Sequence, residues 1–309
     1  MSRPVAELVA RRAGGVALGL LLSRVVPDLP DRFHPVAWFG SAMAGVERRL
    51  WADRRLAGVA HTGIGVAVGV AAGTLAGRLA PVVGVCAAGP QLRRVAMDVG
   101  LQLEAGRLDE GRAAVRSLVG RDPSELDEHG VSAAVVESVA ENMVDAVMGP
   151  AVWGLVGGAP GAAAHRAINT MDAMVGHRSD RYRRYGWASA RLDDAVAYVP
   201  ARLFAVLVAL DRPGRAGAVV RVVRRDAGAH PSPNAGVAEA AVAGALGRSL
   251  GGTLRYGDRV EHRPVLGDGG RPGPDDIRAV VALTDRIELA MAATLGAVWA
   301  VGAYRRSRA

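Results

Sequence analysis

The sequence predicts an all-α, polytopic integral membrane bundle of about four or five spans. It occupies residues 1–309 as a single domain with polar helical loops at 98–145, 166–195 and 211–286. Three observations predict it. Half of the residues are hydrophobic while aromatics make up only 4%, so Ala, Val, Gly and Leu carry the apolar surface. Small residues of this kind let helices approach closely inside a bilayer. Residues 56–77 form an uncharged run of 22 residues, about 33 Å of helix, which is enough to cross the hydrocarbon core. The net charge is +8, with arginines in the segments that flank apolar ones, as in the positive loops beside membrane spans.

The elements follow in order. Arg3, Arg11 and Arg12 precede an uncharged run that starts at Ala13, and no small-residue cleavage site follows, so an uncleaved first helix over 13–29 is expected. The run 56–77 is the strongest span. A shorter apolar stretch at 79–92 predicts a tight hairpin around Arg78. Between Asp98 and Asp145 eleven acidic residues face four arginines, and Val135, Val136, Val139, Ala140, Met143, Val144 and Val147 recur at helical spacing. Residues 146–165 hold Pro150, Gly157, Gly158 and Pro160, and read either as one span or as two half-helices re-entering the bundle. The apolar stretch 195–210 carries Pro200 and Arg202, a weak span or an interfacial helix. Residues 211–286 are rich in turn signals, and a last apolar helix at 289–304 ends in Arg305, Arg306 and Arg308, which suggests a cytoplasmic C-terminus.

Composition excludes several chemistries. All 38 basic residues are arginine, so a Walker-type lysine loop, a pyridoxal Schiff base and a lysine nucleophile are absent. Phosphate must be held by Arg, by backbone N–H groups or by a metal. Cys86 is the single cysteine, which rules out an internal disulfide and a thiolate zinc cluster. No basic run is interleaved with aromatics, so nucleic acid is not an expected partner.

The chemistry-bearing residues are concentrated. Glu137, Glu141 and Asp145 fall at i, i+4 and i+8 beside Asn142. Each like-charge pair costs about 0.2–0.5 kcal/mol on an isolated helix, so the row reads either as a cation-binding face or as a solvated face paired to arginine. Arg166, Asn169 and Asp172 lie within two helical turns, with Gly176 placed to end the helix before His177 and Arg178. Tyr182, Tyr185 and Trp187 alternate with arginines up to Arg191, reading as an interfacial belt or as the lining of a pocket for a large flat anion. Asp193-Asp194 reads as metal-binding or as a cap. His230-Pro-Ser-Pro-Asn234 ahead of Glu239 is a rigid turn opening a helix, where a phosphate or a plain cap would both fit.

The words ESVAENMVDAVMGP and GGAPGAAAHRAINTMDAMVGHRSDRYRRYGWASARLDDAVAYVPARL resemble the CobD/CbiB family of cobinamide-phosphate synthases almost without a gap. HPVAWFG, HPSPNAGVAEAAVAGALG, LGG and YGDRVEHRPVLG follow in the family's order, so the resemblance covers essentially the whole chain. Met143, His165 and His177 depart from the usual pattern. The resemblance implies a multi-pass enzyme of the cell membrane that uses ATP and Mg²⁺. Its reaction joins the free propionate carboxyl of adenosylcobyric acid, a corrinoid, to aminopropanol or its O-phosphate. It implies a lipid bilayer around the protein and contacts with other cobalamin-pathway enzymes.

Under the resemblance the expected catalytic set is Glu137, Glu141, Asn142, Asp145, Asn169, Asp172 and Asp193, with Glu141, Asp145 and Asp172 on the metal. Arg166, Arg178 and Arg191 are expected on phosphate, and Tyr182, Tyr185 and Trp187 on the corrin. His230, Asn234 and Glu239 complete the substrate set. The rival expectations are a regulator of the AmpE type and a corrinoid-binding scaffold without catalysis. A prenyl- or alcohol-phosphate transferase is a further rival, but its paired Asp-rich motifs are not clearly present.

Overall fold

The computed structural model describes residues 3–26, 30–119, 122–177, 179–256 and 259–308. The chain is helical except for one hairpin among these residues. Where one domain was expected over 1–309, the chain divides into two compact units that interleave in sequence. Unit one comprises Met1–Ala88, Asp145–Ala197 and Leu289–Ala309, and unit two comprises Gly89–Val144 and Tyr198–Glu288.

Unit one contains α1 (Arg3–Val25), α2 (Pro35–Leu50), α3 (Arg55–Ala76), α4 (Leu79–Cys86), α8 (Gly149–Met171) and α9 (Trp187–Val196). Pro35 at the first turn of α2 needs no N–H partner, and His34 Nδ1 accepts from the Val36 N–H at 3.2 Å. Gly77 ends α3 at φ +66°, its N–H reaching Gly73 O at 3.2 Å. The run expected to cross a bilayer is therefore one unbroken helix.

The packing of α3 is inverted relative to a water-soluble helix. Gly58, Gly65, Gly69 and Gly73 are buried, while Leu56, Val59, Ile64, Val68, Val70 and Leu75 are exposed. The glycines let α8 lie directly on α3. A Cβ on Gly69 would stand 2.8 Å from Ala167 Cβ, and one on Gly73 would stand 2.6 Å from Pro160 Cα. Small residues four apart permit this closeness, and each larger one would force the helices apart. Around the contact, Met43, Ile168 and Met171 form a core with Phe39, Val66, Leu192 and Val196 packed against it.

The segment expected to be either one span or two half-helices is broken. Gly158 sits at φ 66°, ψ −155°, a conformation open essentially only to glycine, two residues before Pro160. The break leaves carbonyls of the first half without helical partners. Arg12 of α1 supplies the donor, its Nη1 reaching Leu155 O at 3.3 Å and also Val156 O.

Unit two holds α5 (Gly89–Glu104), α6 (Leu108–Val115), α7 (Glu128–Met143), α10 (Tyr198–Asp211), α11 (Ala216–Asp226) and α12 (Ala235–Leu246). Asp127 caps α7, accepting the Gly130 N–H at 2.6 Å. Both α7 and α12 are buried on nearly all sides, which makes them the core helices of this unit. The polar helical segment expected over 211–286 also contains a hairpin: β1 (Leu250–Tyr256) pairs antiparallel with β2 (Arg259–Leu266). Its register slips between Leu250 and Gly252, where Gly251 and Gly252 take φ +76° and +88°.

The C-terminal helix α13 (Pro274–Ser307) is much longer than the 289–304 expected, with residues up to Glu288 in unit two and the rest in unit one. Among the described residues two helices, α3 and α13, are long and apolar enough to cross a membrane.

Candidate active site

Asp145 and Asp172 sit in single π-helical turns, Val144–Met148 and Asp172–Gly176, on either side of α8 in the chain. A π turn carries one residue more than an α turn. The i, i+4, i+8 row expected through Glu137, Glu141 and Asp145 is interrupted at that turn. Glu137 and Glu141 belong to unit two and Asp145 to unit one.

In unit one the side chains converge on Asn169. Its Nδ2 donates to Asp145 Oδ2 at 3.0 Å, and its Oδ1 accepts from Arg166 Nη1 at 3.2 Å. A guanidinium only donates, so this contact fixes which end of the amide faces the carboxylates. The same amide lies close enough to Asp193 of α9 to favour its charged form. Gly176 closes the π turn, and any Cβ there would collide with the Asp172 carboxylate. The sequence signal that Gly176 ends a helix was correct, and the contact gives it a second reason.

The electrostatics describe a site short of positive charge. Burial, then the neighbouring Asp194, pushes Asp172 up to about 6 against the pull of His177. Burial, then the charges of Asp145 and Asp172, holds Asp193 well above the usual carboxylate range, and the Asn169 amide pulls the other way. Asp193 Oδ1 and Arg166 Nε are both buried without a hydrogen-bond partner. An orphaned acceptor among like charges is stabilised by an incoming cation, either a metal ion or a substrate ammonium.

No group of three or more His, Cys, Asp or Glu side chains is arranged to hold a metal among the described residues. The expected trio of Glu141, Asp145 and Asp172 is not gathered into a cage, and Glu141 is exposed on α7. The donor set still suits Mg²⁺, which takes one or two carboxylates and completes its octahedron with water and phosphate oxygens.

The aromatic stretch divides. Tyr182 donates from its hydroxyl to Glu47 Oε1 at 2.8 Å, and Arg181 reaches the same oxygen at 3.2 Å. Trp187 is exposed beneath the Arg55 guanidinium, 5.0 Å from the ring centroid. Tyr185 is fully buried against His61 with centroids 5.3 Å apart, so it offers no ring face to a ligand and acts in packing instead. Arg191 is exposed, 3.9 Å from Asp194. Arg178 lies outside the described residues.

Unit two assembles a separate polar cluster. Glu137 is buried and accepts the Gly251 N–H at 2.8 Å. His230 Nδ1 accepts from the Ser232 N–H at 3.1 Å, and its Nε2 lies 3.8 Å from buried Glu239. Burial holds His230 below its usual range, so the neutral ring is favoured. Asn234 accepts from Arg202 Nη1 at 2.7 Å and so acts as an acceptor for arginine instead of a side-chain cap of α12. Asn142 bonds back to Ser138 in its own helix, at 2.9 Å to the carbonyl. Sequence reasoning did not single out Glu47 or Arg202. The first looks like one acid among the arginines of a helix end, and the second like a flaw in an apolar stretch.

The comparisons with known proteins agree on one lineage. The family model described as CobD/Cbib protein matches residues 16–284. The chain is 45% identical to the cobalamin biosynthesis protein CobD of Mycobacterium bovis, over 97% of this chain and 99% of that protein. It is 46% identical to the protein of the same name from Mycobacterium tuberculosis (strain ATCC 25618 / H37Rv), over 96% of this chain and 97% of that one. Against a Rhodobacter capsulatus protein of that name it is 43% identical over 93% of this chain and 97% of the relative. No solved structure matches. With the match extending across most of its length, this chain belongs to the CobD/CbiB family.

Proposed function

We propose that the chain is an adenosylcobinamide-phosphate synthase of the cell membrane. It forms the amide between the free propionate carboxyl of adenosylcobyric acid and aminopropanol or its O-phosphate, with ATP and Mg²⁺. The observation that carries this reading is the Asn169-centred carboxylate cluster with its orphaned Asp193 oxygen, in a chain of this family.

An amine reaches the site as an ammonium ion and cannot attack until it loses a proton. Asp145, Asp172 and Asp193 attract that ammonium, and Asn169 holds Asp145 in place. Asp172, raised to about 6, is suited to take the proton near neutral pH. The other substrate's carboxylate is activated by transfer of the ATP γ-phosphoryl, giving an acyl phosphate and ADP. The free amine then attacks the acyl carbon, the C–O bond to phosphate breaks, and inorganic phosphate leaves. Arg166 and Arg191 are assigned to the phosphate charge. Mg²⁺, when bound, supplies neutralisation of phosphate oxygens. Of the unit-two residues, Glu137 is assigned a catalytic role, and His230, Asn234 and Glu239 are assigned to substrate binding.

The membrane assignment rests on α3, which puts its glycines inside and its Leu, Ile and Val side chains outside, and on α13, the second helix long and apolar enough to cross. In water such a face is a liability, and in lipid it is the favoured arrangement.

The test is an amide-formation assay on nanodisc-held protein with adenosylcobyric acid, aminopropanol phosphate, ATP and Mg²⁺, with each omitted in turn. Product that needs every component and disappears in Asp172→Asn supports the reading. Tight corrinoid binding without product from either amine would replace it with a binding role.

A further inference from the structure

The start of α3 carries a cluster of arginines to which the proposed amide synthesis assigns no role. The last turn of α2 presents Arg48 and Arg49, and the turn into α3 presents Arg54 and Arg55, all four exposed. The connection leading into α9 brings Arg181, Arg183 and Arg184 to the same place, also exposed. Side-chain contacts tie the three segments together: Arg184 lies 3.5 Å from Asp53, Arg181 lies 4.6 Å from the Trp51 ring centroid, and Arg55 lies over Trp187. The acids among them are Glu47, Asp53 and Asp180, and Glu47 is buried and already engaged by Tyr182 and Arg181.

The polarity changes sharply at this level. Trp51 and Trp187 are 38% and 40% exposed, and immediately beyond them Leu56 is 77% exposed. Tryptophan favours the headgroup level of a bilayer, where its ring has one apolar and one wet side. Arginine forks match phosphate geometry, and clustered basic residues at the membrane surface attract anionic lipid.

We propose that this arginine–tryptophan collar binds the headgroups of anionic phospholipids around the start of α3. The collar holds them with seven guanidinium groups facing the phosphates and two indoles at the boundary with the acyl chains. The proposal rests on the reading that α3 crosses a membrane.

The test uses the full chain in nanodiscs of phosphatidylcholine with or without phosphatidylglycerol, and counts lipids retained on the protein by native mass spectrometry. The variant is Arg48→Gln with Arg49→Gln, Arg54→Gln and Arg183→Gln, since none of these four makes a described ion pair or side-chain hydrogen bond. The expected result is preferential retention of phosphatidylglycerol by the unaltered chain and a loss of about ten-fold or more of that preference in the variant. Phosphatidylcholine retention and the thermal midpoint should be unchanged. Equal retention of both lipids by the unaltered chain overturns the proposal, as does an unchanged preference in the variant. Displacement of phosphatidylglycerol by millimolar inorganic phosphate also overturns it, because the site is then a general anion site. Should the variant not fold, the salt dependence of retention by the unaltered chain decides: a preference that survives high salt undiminished is not the collar's. Release of the chain from membranes by carbonate washing would remove the reading of α3 itself. A chain that resists washing yet shows no lipid preference removes the collar alone.

Discussion

Asn169 links Asp145 to Arg166, donating to Asp145 Oδ2 at 3.0 Å while its carbonyl end accepts from Arg166 Nη1 at 3.2 Å. A hydrogen bond to a charged group contributes about 1.5–3 kcal/mol. Asn169→Ala is therefore expected to lower kcat/KM about ten- to hundred-fold. Asn169→Asp, which also adds a negative charge, should lower it further. Steady-state kinetics on reconstituted protein checks both, and an Asn169→Asp variant as active as the unaltered chain would remove the amide from the site.

The raised Asp172 predicts a pH signature. Its folded value of about 6 lies above the ordinary 3.8, so the folded state holds a proton that the unfolded state releases. The stability this contributes is full below about 3.8 and is lost as pH rises through about 6. Without Mg²⁺ the thermal midpoint should fall by about 2–4 °C between pH 5 and pH 7.5. Asp172→Asn should flatten that fall, and Mg²⁺ should raise the midpoint at pH 7.5 more than at pH 5. Differential scanning fluorimetry over this range reads all three.

The glycine contact between α3 and α8 predicts a strong position dependence. Gly69→Val places branched carbons where even a Cβ lies 2.8 Å from Ala167, so destabilisation of about 1–3 kcal/mol is expected. Gly63 has nothing within 4 Å of its Cβ position. Gly63→Ala should leave the midpoint unchanged or slightly raised, since alanine is the better helix former. Equal loss at both positions would mean that glycine matters there for something other than close approach.

The break in α8 predicts a coupled pair. Gly158→Ala meets backbone strain of about 1–3 kcal/mol. Arg12→Leu removes the donor to the half-buried Leu155 carbonyl and the exposed Val156 carbonyl, a loss of about 0.5–1.5 kcal/mol. Because both act on one break, the double variant should lose less than the two losses added. Additive midpoints would show that the two features are independent.

Much of the helical frame was legible in the sequence because charge, glycine and proline mark its ends. Gly77 stops α3, Gly176 closes the turn after Asp172, and Gly158 with Pro160 breaks α8. The hairpin at 250–266 was not legible, because Gly251, Gly252 and Gly267 signal turns equally well in a loop and in a bulged ribbon. The clustering of Arg166, Asn169 and Asp172 could be read from spacing, since all three lie on neighbouring turns. Their meeting with Asp145 and Asp193 depends on tertiary packing, which spacing does not encode. The row from Glu137 to Asp145 misled because an α period was assumed through a π turn.

That turn geometry has a consequence for how the chain tolerates change in length. Asp172 opens a five-residue wide turn in which one residue is surplus to the α-helical phase. Removing a single residue from 173–175 would let the segment relax into ordinary helix and abolish the wide turn that sets Gly176 against the Asp172 carboxylate. The position of this carboxylate against Gly176 is thus encoded by a count of residues as much as by their identity, and a deletion that spares every polar side chain would still dismantle it.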